Sequence, residues 1–235
     1  MIVGLVTRLR ASRQALAIAG GMITLGIVAI VLVIVPSQRS TDLFDGVPQH
    51  GFVLGDPNAP VTLVEWIDLQ CSVCRSFETT ELPTLVAMYV RPGTLKIEMK
   101  TWNIIDANHP GTDDSLRGQK ATIAAAAQNK AFQFVEVLYR NQKPEGSGWL
   151  NDTMISKIAA SVDGLDTSRL AADANSAATA SLIQEIDNYA NAQPDFTGTP
   201  TLLLAKGKGQ PRYYGTGSPA MDLANLEPAI EALLK

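Results

Sequence analysis

Two cysteines, Cys71 and Cys74, and two histidines, His50 and His109, are all that the 235 residues hold of those types. Two cysteines cannot build a disulfide framework or fill a cysteine-rich tetrahedral zinc site. The histidines stand at no ligand spacing to them, so no metal site and no bound cofactor is expected. A basic face is missing as well: the formal net charge is −4, which argues against a sequence-independent nucleic-acid binder. There is no internal repeat, no low-complexity tract and no phosphate-cradling glycine loop. Acidic residues are absent before Asp42, and that same stretch carries Arg8, Arg10, Arg13 and Arg39. Removing those four from the 19 basic residues leaves 15 against 23 acidic ones, so the remainder carries −8.

What fills the gap between Arg13 and Arg39 is a hydrophobic run, LAIAGGMITLGIVAIVLVIV, from Leu16 to Val35. About twenty apolar residues at about 1.5 Å each match a hydrocarbon core of about 30 Å. A cleaved signal peptide is the rival reading, but its apolar region should be about 7–15 residues and end at a small-x-small site. The best such site, Val35-Pro36-Ser37, has a proline inside it. The expectation is therefore a cytoplasmic tail over 1–15, a retained transmembrane anchor over 16–35 and a tether over 36–50. Three arginines precede the span, which places the N-terminus in the cytoplasm and the body, 51–235, outside it.

Within the body, VTLVEWID (61–68) is β-branched and unbroken, as in a central strand covered on both faces. Residues 71–90 read as a helix interrupted at Pro83, and LKIEMKTWNII (95–105) as a second strand, completing a parallel βαβ unit. About 112–193 is alanine-rich and helical in period. Strand chemistry returns at TGTPTLLLA (197–205), followed by a Gly- and Lys-rich hairpin, PRYYG (211–215) and a closing helix.

The pair Cys71-Ser72-Val73-Cys74 sits where the first strand hands over to its helix. Unpaired, partly positive N–H groups at a helix start stabilise a thiolate there. The first cysteine becomes a nucleophile near neutral pH, and the second lies one turn inside, able to resolve a mixed disulfide. A purely structural disulfide is the plainer alternative, but closing so short a ring contributes only about 2 kcal/mol.

GDPNAPVTLVEWIDLQCSVC, Phe77 three residues after Cys74, and GTPTLLL at 198–204 resemble the DsbA family of thiol:disulfide oxidoreductases. The resemblance spans 51–235 and implies an α/β thioredoxin-like fold with a helical insertion at about 112–193. It implies Cys71 as the exposed nucleophile and Cys74 as the buried resolving thiol. Pro200 matches the cis-proline facing the cysteines, which leaves the backbone of Thr199 free to pair with an extended substrate. Glu65 matches a buried acid that relays the proton of Cys74; without the resemblance it reads as a paired strand-end acid. The implied partners are reduced or unfolded exported proteins and a quinone-linked membrane reoxidase. The implied function is introduction of disulfides, with isomerase, reductase or non-catalytic binding module as the alternatives. One departure stands out: Ser72-Val73 offers no imidazole to the thiolate, where strongly oxidising members carry proline then histidine or tyrosine. A potential between about −120 and −270 mV is therefore expected.

Overall fold

The structure, a computed structural model, describes residues 42–235. The expected tail, anchor and first part of the tether lie outside the described residues. Among the described residues no helix is long and apolar enough to cross a membrane.

Six strands form one sheet: β1 (Gln49–His50), β2 (Val53–Leu54), β3 (Val61–Ile67), β4 (Leu95–Thr101), β5 (Thr201–Lys206) and β6 (Arg212–Thr216). Their order is β1-β2-β4-β3-β5-β6, with β3 parallel to β4 and antiparallel to β5. Every residue of β3 is buried, as an unbroken β-branched run requires of the strand covered on both faces. Alternation along β3 separates two cores. Leu63 and Ile67 join the larger one, whereas Val64 and Trp66 face the smaller one with Trp102 and Ile186. Glu65 shares the face of Leu63 and Ile67 and lies in register between Met99 of β4 and Leu202 of β5.

From β3 the chain enters α1, a continuous helical path over 72–90. Its α-helical stretches Ser72–Ser76 and Leu82–Leu85 alternate with π-helical turns at Phe77–Glu81 and Val86–Val90. Pro83 was expected to interrupt this helix. Instead the π turn ahead of it widens the backbone, with the Leu82 N–H reaching Phe77 O, and the ring is accommodated without a break. The second strand is shorter than expected and stops at Thr101. Residues 103–105 leave the ladder because carboxylates capture their N–H groups. Asp187 takes that of Asn103 at 3.3 Å, and Asp68 takes those of Ile104 and Ile105 at 3.0 and 2.9 Å.

The helical insertion comprises α2 (Asp114–Ala126), α3 (Ala131–Arg140), α4 (Asp152–Ala160), α5 (Thr167–Ala174) and α6 (Ala177–Asn191). Alanine lets these helices approach closely: Ala121, Ala124, Ala125 and Ala131 are buried in the larger core. After β6, a short helix α7 (Ser218–Met221) meets α8 (Leu223–Leu234) at Asp222, whose carboxylate accepts the Ala224 N–H at 2.9 Å. Part of the expected tether is folded onto this domain. Phe44 is buried with its ring 5.9 Å from that of Phe132, and β1 extends the sheet edge.

Candidate active site

The site is built on the four residues that link β3 to α1. Asp68, fully buried, accepts hydrogen bonds from the Gln70 N–H at 2.8 Å and the Ser115 hydroxyl at 2.6 Å, besides those from Ile104 and Ile105. Burial pushes its carboxyl up, and these donors oppose the shift. Gln70 donates to Asp106 at 2.7 Å and to Ser115 at 2.8 Å, and accepts the Gly146 N–H at 2.7 Å. The Cys71 N–H closes the turn onto Asp68 O at 3.0 Å.

Cys71 then takes the N-cap position of α1, with φ −63° and ψ 120°. Its sulfur accepts the Cys74 N–H at 3.3 Å, the bond that a serine or aspartate makes at an ordinary N-cap. The Cys71 thiol is brought down from 9.0 to about 7. The hydrogen bond from the Cys74 thiol is the largest cause; burial opposes it; the backbone N–H of Cys74, the Thr199 side chain and the backbone at Val73 add to it. Cys74 moves the other way, well above the usual thiol range, because it is fully buried and faces Cys71. The two thiols thus separate into one that ionises near neutrality and one that holds its proton. Cys71 was expected to be exposed but keeps only 6 % of its surface, against 0 % for Cys74. The Thr199 segment covers it.

Thr199 and Pro200 come to the cysteines from 128 residues away. The Cys71 sulfur lies 3.4 Å from Thr199 O, and the Thr199–Pro200 peptide bond is cis. The Thr201 hydroxyl fixes the turn by donating to Gly198 O at 2.7 Å. A groove of about 320 Å³ opens beside α1, lined by Ser72, Val73, Ser76 and Glu81 and by Met221 and Asp222 from the α7–α8 junction.

Glu65 is fully buried, and the structure sets it against Glu78, one turn beyond Cys74 on α1. No N–H or hydroxyl donor reaches any of their four carboxyl oxygens. Burial pushes Glu65 up to about 8, partly offset by the facing Glu78. Glu78 is raised further, first by burial and then by the charges of Glu65 and Glu136. Among the described hydrogen bonds neither carboxyl touches a cysteine sulfur. Glu65, expected to relay the proton of Cys74, has Glu78 as its facing partner.

Sequence reasoning missed Glu78, Asp68, Gln142 and Tyr139. The Tyr139 hydroxyl donates to Asp68 O at 2.9 Å from inside the core. Only Glu78 left a sequence signal, because it lies four residues after Cys74 and so shares its helix face. Of the histidines, His50 is exposed and the His109 ring packs against Gly146; among the described residues no three His, Cys, Asp or Glu side chains gather as a metal site.

A family model described as thioredoxin matches residues 48–212. The chain belongs to this thioredoxin family. It is 25% identical over 218 residues to "Probable disulfide bond formation protein D" of Bacillus cereus, covering 91% of this chain and 92% of that one. It is 22% identical over 178 residues to "Disulfide bond formation protein D" of Bacillus subtilis, covering 72% and 74%. Among solved structures, oxidised BdbD from Bacillus subtilis superposes with a TM-score of 0.65 at 20% identity, covering 80% of this chain and 97% of that one. Wolbachia pipientis α-DsbA1 gives 0.62 at 18% identity, covering 82% and 96%. The similar fold therefore includes the helical insertion as well as the thioredoxin core.

Proposed function

We propose that this protein thiol:disulfide oxidoreductase introduces disulfides into exported proteins outside the cytoplasm, held to the membrane by residues 16–35. The observation that carries the exchange chemistry is the capped sulfur of Cys71, with the Cys74 N–H at 3.3 Å and a thiol brought to about 7. In the oxidised form a client thiolate attacks Cys71 Sγ, the 71–74 bond breaks, and Cys74 departs with the electron pair and takes a proton. A second client thiolate attacks the mixed disulfide and releases Cys71 as a thiolate. Two electrons pass from client to enzyme, and a quinone-linked membrane partner removes them. The Thr199 backbone pairs with the extended client while its cysteine reacts. The names of the Bacillus relatives, disulfide bond formation proteins, support the oxidising direction. The apolar run and its flanking arginines support the anchor and its orientation.

One observation favours a second reading. A thiol near 7 matches thioredoxin more closely than DsbA, whose nucleophile is near 3.5. A reductase or isomerase would work from the dithiol. Alkylation in intact cells separates the readings. An oxidase keeps the pair mostly as a disulfide, and after reduction a membrane-impermeant reagent labels it. A pair resting mostly as thiols favours the reductase or isomerase. Thiols that only a permeant reagent reaches contradict the extracytoplasmic placement.

A further inference from the structure

One short segment of the insertion, residues 139–146, contacts each of the four residues that lead from β3 to the nucleophile. The Tyr139 hydroxyl donates to Asp68 O at 2.9 Å. The Gln142 side-chain amide donates to Leu69 O and to Cys71 O, both at 3.2 Å. The Gly146 N–H donates to the Gln70 side chain at 2.7 Å. Of these, only Gln142 touches the backbone of Cys71 itself. That carbonyl already accepts the first helical hydrogen bond, from the Arg75 N–H at 3.0 Å.

A single amide bridging two carbonyls two residues apart fixes the peptide planes on either side of Gln70 and Cys71. Those planes set the N-cap conformation that aims the Cys71 sulfur at the Cys74 N–H. We propose that Gln142 is a positioning residue for the exchange reaction, holding Cys71 in its cap geometry from the helical insertion. The role is electrostatic as well as steric: the amide presents its positive N–H end to the backbone of the nucleophile, where a carboxylate would present a negative charge. The insertion thereby helps to set the reactivity of a thiol that belongs to the thioredoxin core.

This inference rests on Cys71 being the attacking thiol, and the experiment reads the two separately. In the reduced full-length protein, thiolate absorbance is followed against pH for wild type, Gln142→Leu, Gln142→Glu and Gln142→Lys. Iodoacetamide mapping identifies the cysteine that ionises, and thermal melting confirms folding. The titratable groups facing Cys71 are Cys74 of α1 and Tyr139 of α3, and both are kept. Gln142→Leu is expected to lower the thiolate fraction at pH 6 about threefold, as half a pKa unit does. Gln142→Glu should lower it further, and Gln142→Lys, whose ammonium can reach the same carbonyls, should restore it. Gln142 is half-buried at the surface, so the two charged variants carry the comparison if the leucine variant does not fold. Titrations of Gln142→Leu and Gln142→Glu that coincide with wild type overturn the inference, whatever the melting temperatures do. If mapping places the ionising thiol at Cys74, the assignment of the nucleophile fails instead.

Discussion

The carboxyl groups of Glu65 and Glu78 face each other inside the domain, one carried by β3 and the other by the helix that begins at Cys71. No N–H or hydroxyl donor reaches them and their neighbour Glu136 is ion-paired to Arg140 at 3.0 Å, so the pair keeps its protons through a range where exposed carboxylates have lost them. Glu65 titrates at about 8 in the fold, against 4.5 when exposed. Between those values the folded state binds more protons than the unfolded one, so stability falls as pH rises. The stabilising contribution is complete below about pH 4.5 and is lost through pH 8. The disulfide form is the one to test, because it removes the thiols from the titration. Its melting temperature should decline from pH 5 to pH 8, and Glu65→Gln should flatten that decline by several degrees, at about 2–4 °C per kcal/mol for a domain of this size. Glu78→Gln should act in the same direction. Parallel pH profiles for wild type and both variants would show that the pair is not protonated in the fold.

Thr199 bears on the Cys71 thiol through its side chain as well as its carbonyl. Thr199→Val keeps the shape and removes the hydroxyl, so the Cys71 thiolate loses stabilisation and its pKa rises. A less stable thiolate makes the disulfide less oxidising, and a shift of half a unit corresponds to about 15 mV in the negative direction near pH 9, where reduced Cys71 is ionised, and to about 5 mV at pH 7. Equilibration with glutathione measures it. A potential that moves the positive way contradicts the account.

Gly118 sets two effects in opposition. On helix propensity alone, Gly118→Ala should stabilise α2 by up to about 1 kcal/mol. A Cβ at this position, however, would sit 2.8 Å from Leu69 Cβ and 2.9 Å from Leu150 Cδ2, both in the core. Overpacking of this kind costs about 1–3 kcal/mol, so a net loss of about 1 kcal/mol is expected in urea unfolding. Exchange activity should fall as well, because Leu69 lies two residues from Cys71. A net gain in stability would mean that α2 does not press on the active-site loop.

The legible parts of this chain are those whose signal is local. An unbroken run from Val61 to Ile67 marks a central strand, a cysteine at its end marks a helix cap, and Thr199-Pro200 before a strand matches a known motif. Long-range capture hid the rest. The strand reading of 103–105 fails because Asp68 and Asp187 take N–H groups from residues 36 to 84 positions away in sequence. β1 and β2 are two residues each, too short for any periodicity to register. Gln142 is one polar residue after a helix, and nothing local distinguishes it from solvent-facing neighbours. Glu65 was found, but its partner was not, since only the packing of α1 on β3 reveals that two acids share one buried space.

The central claim is that Cys71, and not Cys74, exchanges disulfides with client thiols. In Cys74→Ala, Cys71 first attacks a small aromatic disulfide, releasing one aromatic thiolate, and the resulting mixed disulfide is then offered a reduced peptide that holds one cysteine. The peptide thiolate displaces the aromatic thiol, and no resolving cysteine remains to release it. The account predicts a stable adduct that maps to Cys71 by mass spectrometry, is reversed by dithiothreitol and is absent in Cys71→Ala. No adduct in Cys74→Ala, or an equal one in Cys71→Ala, would contradict it.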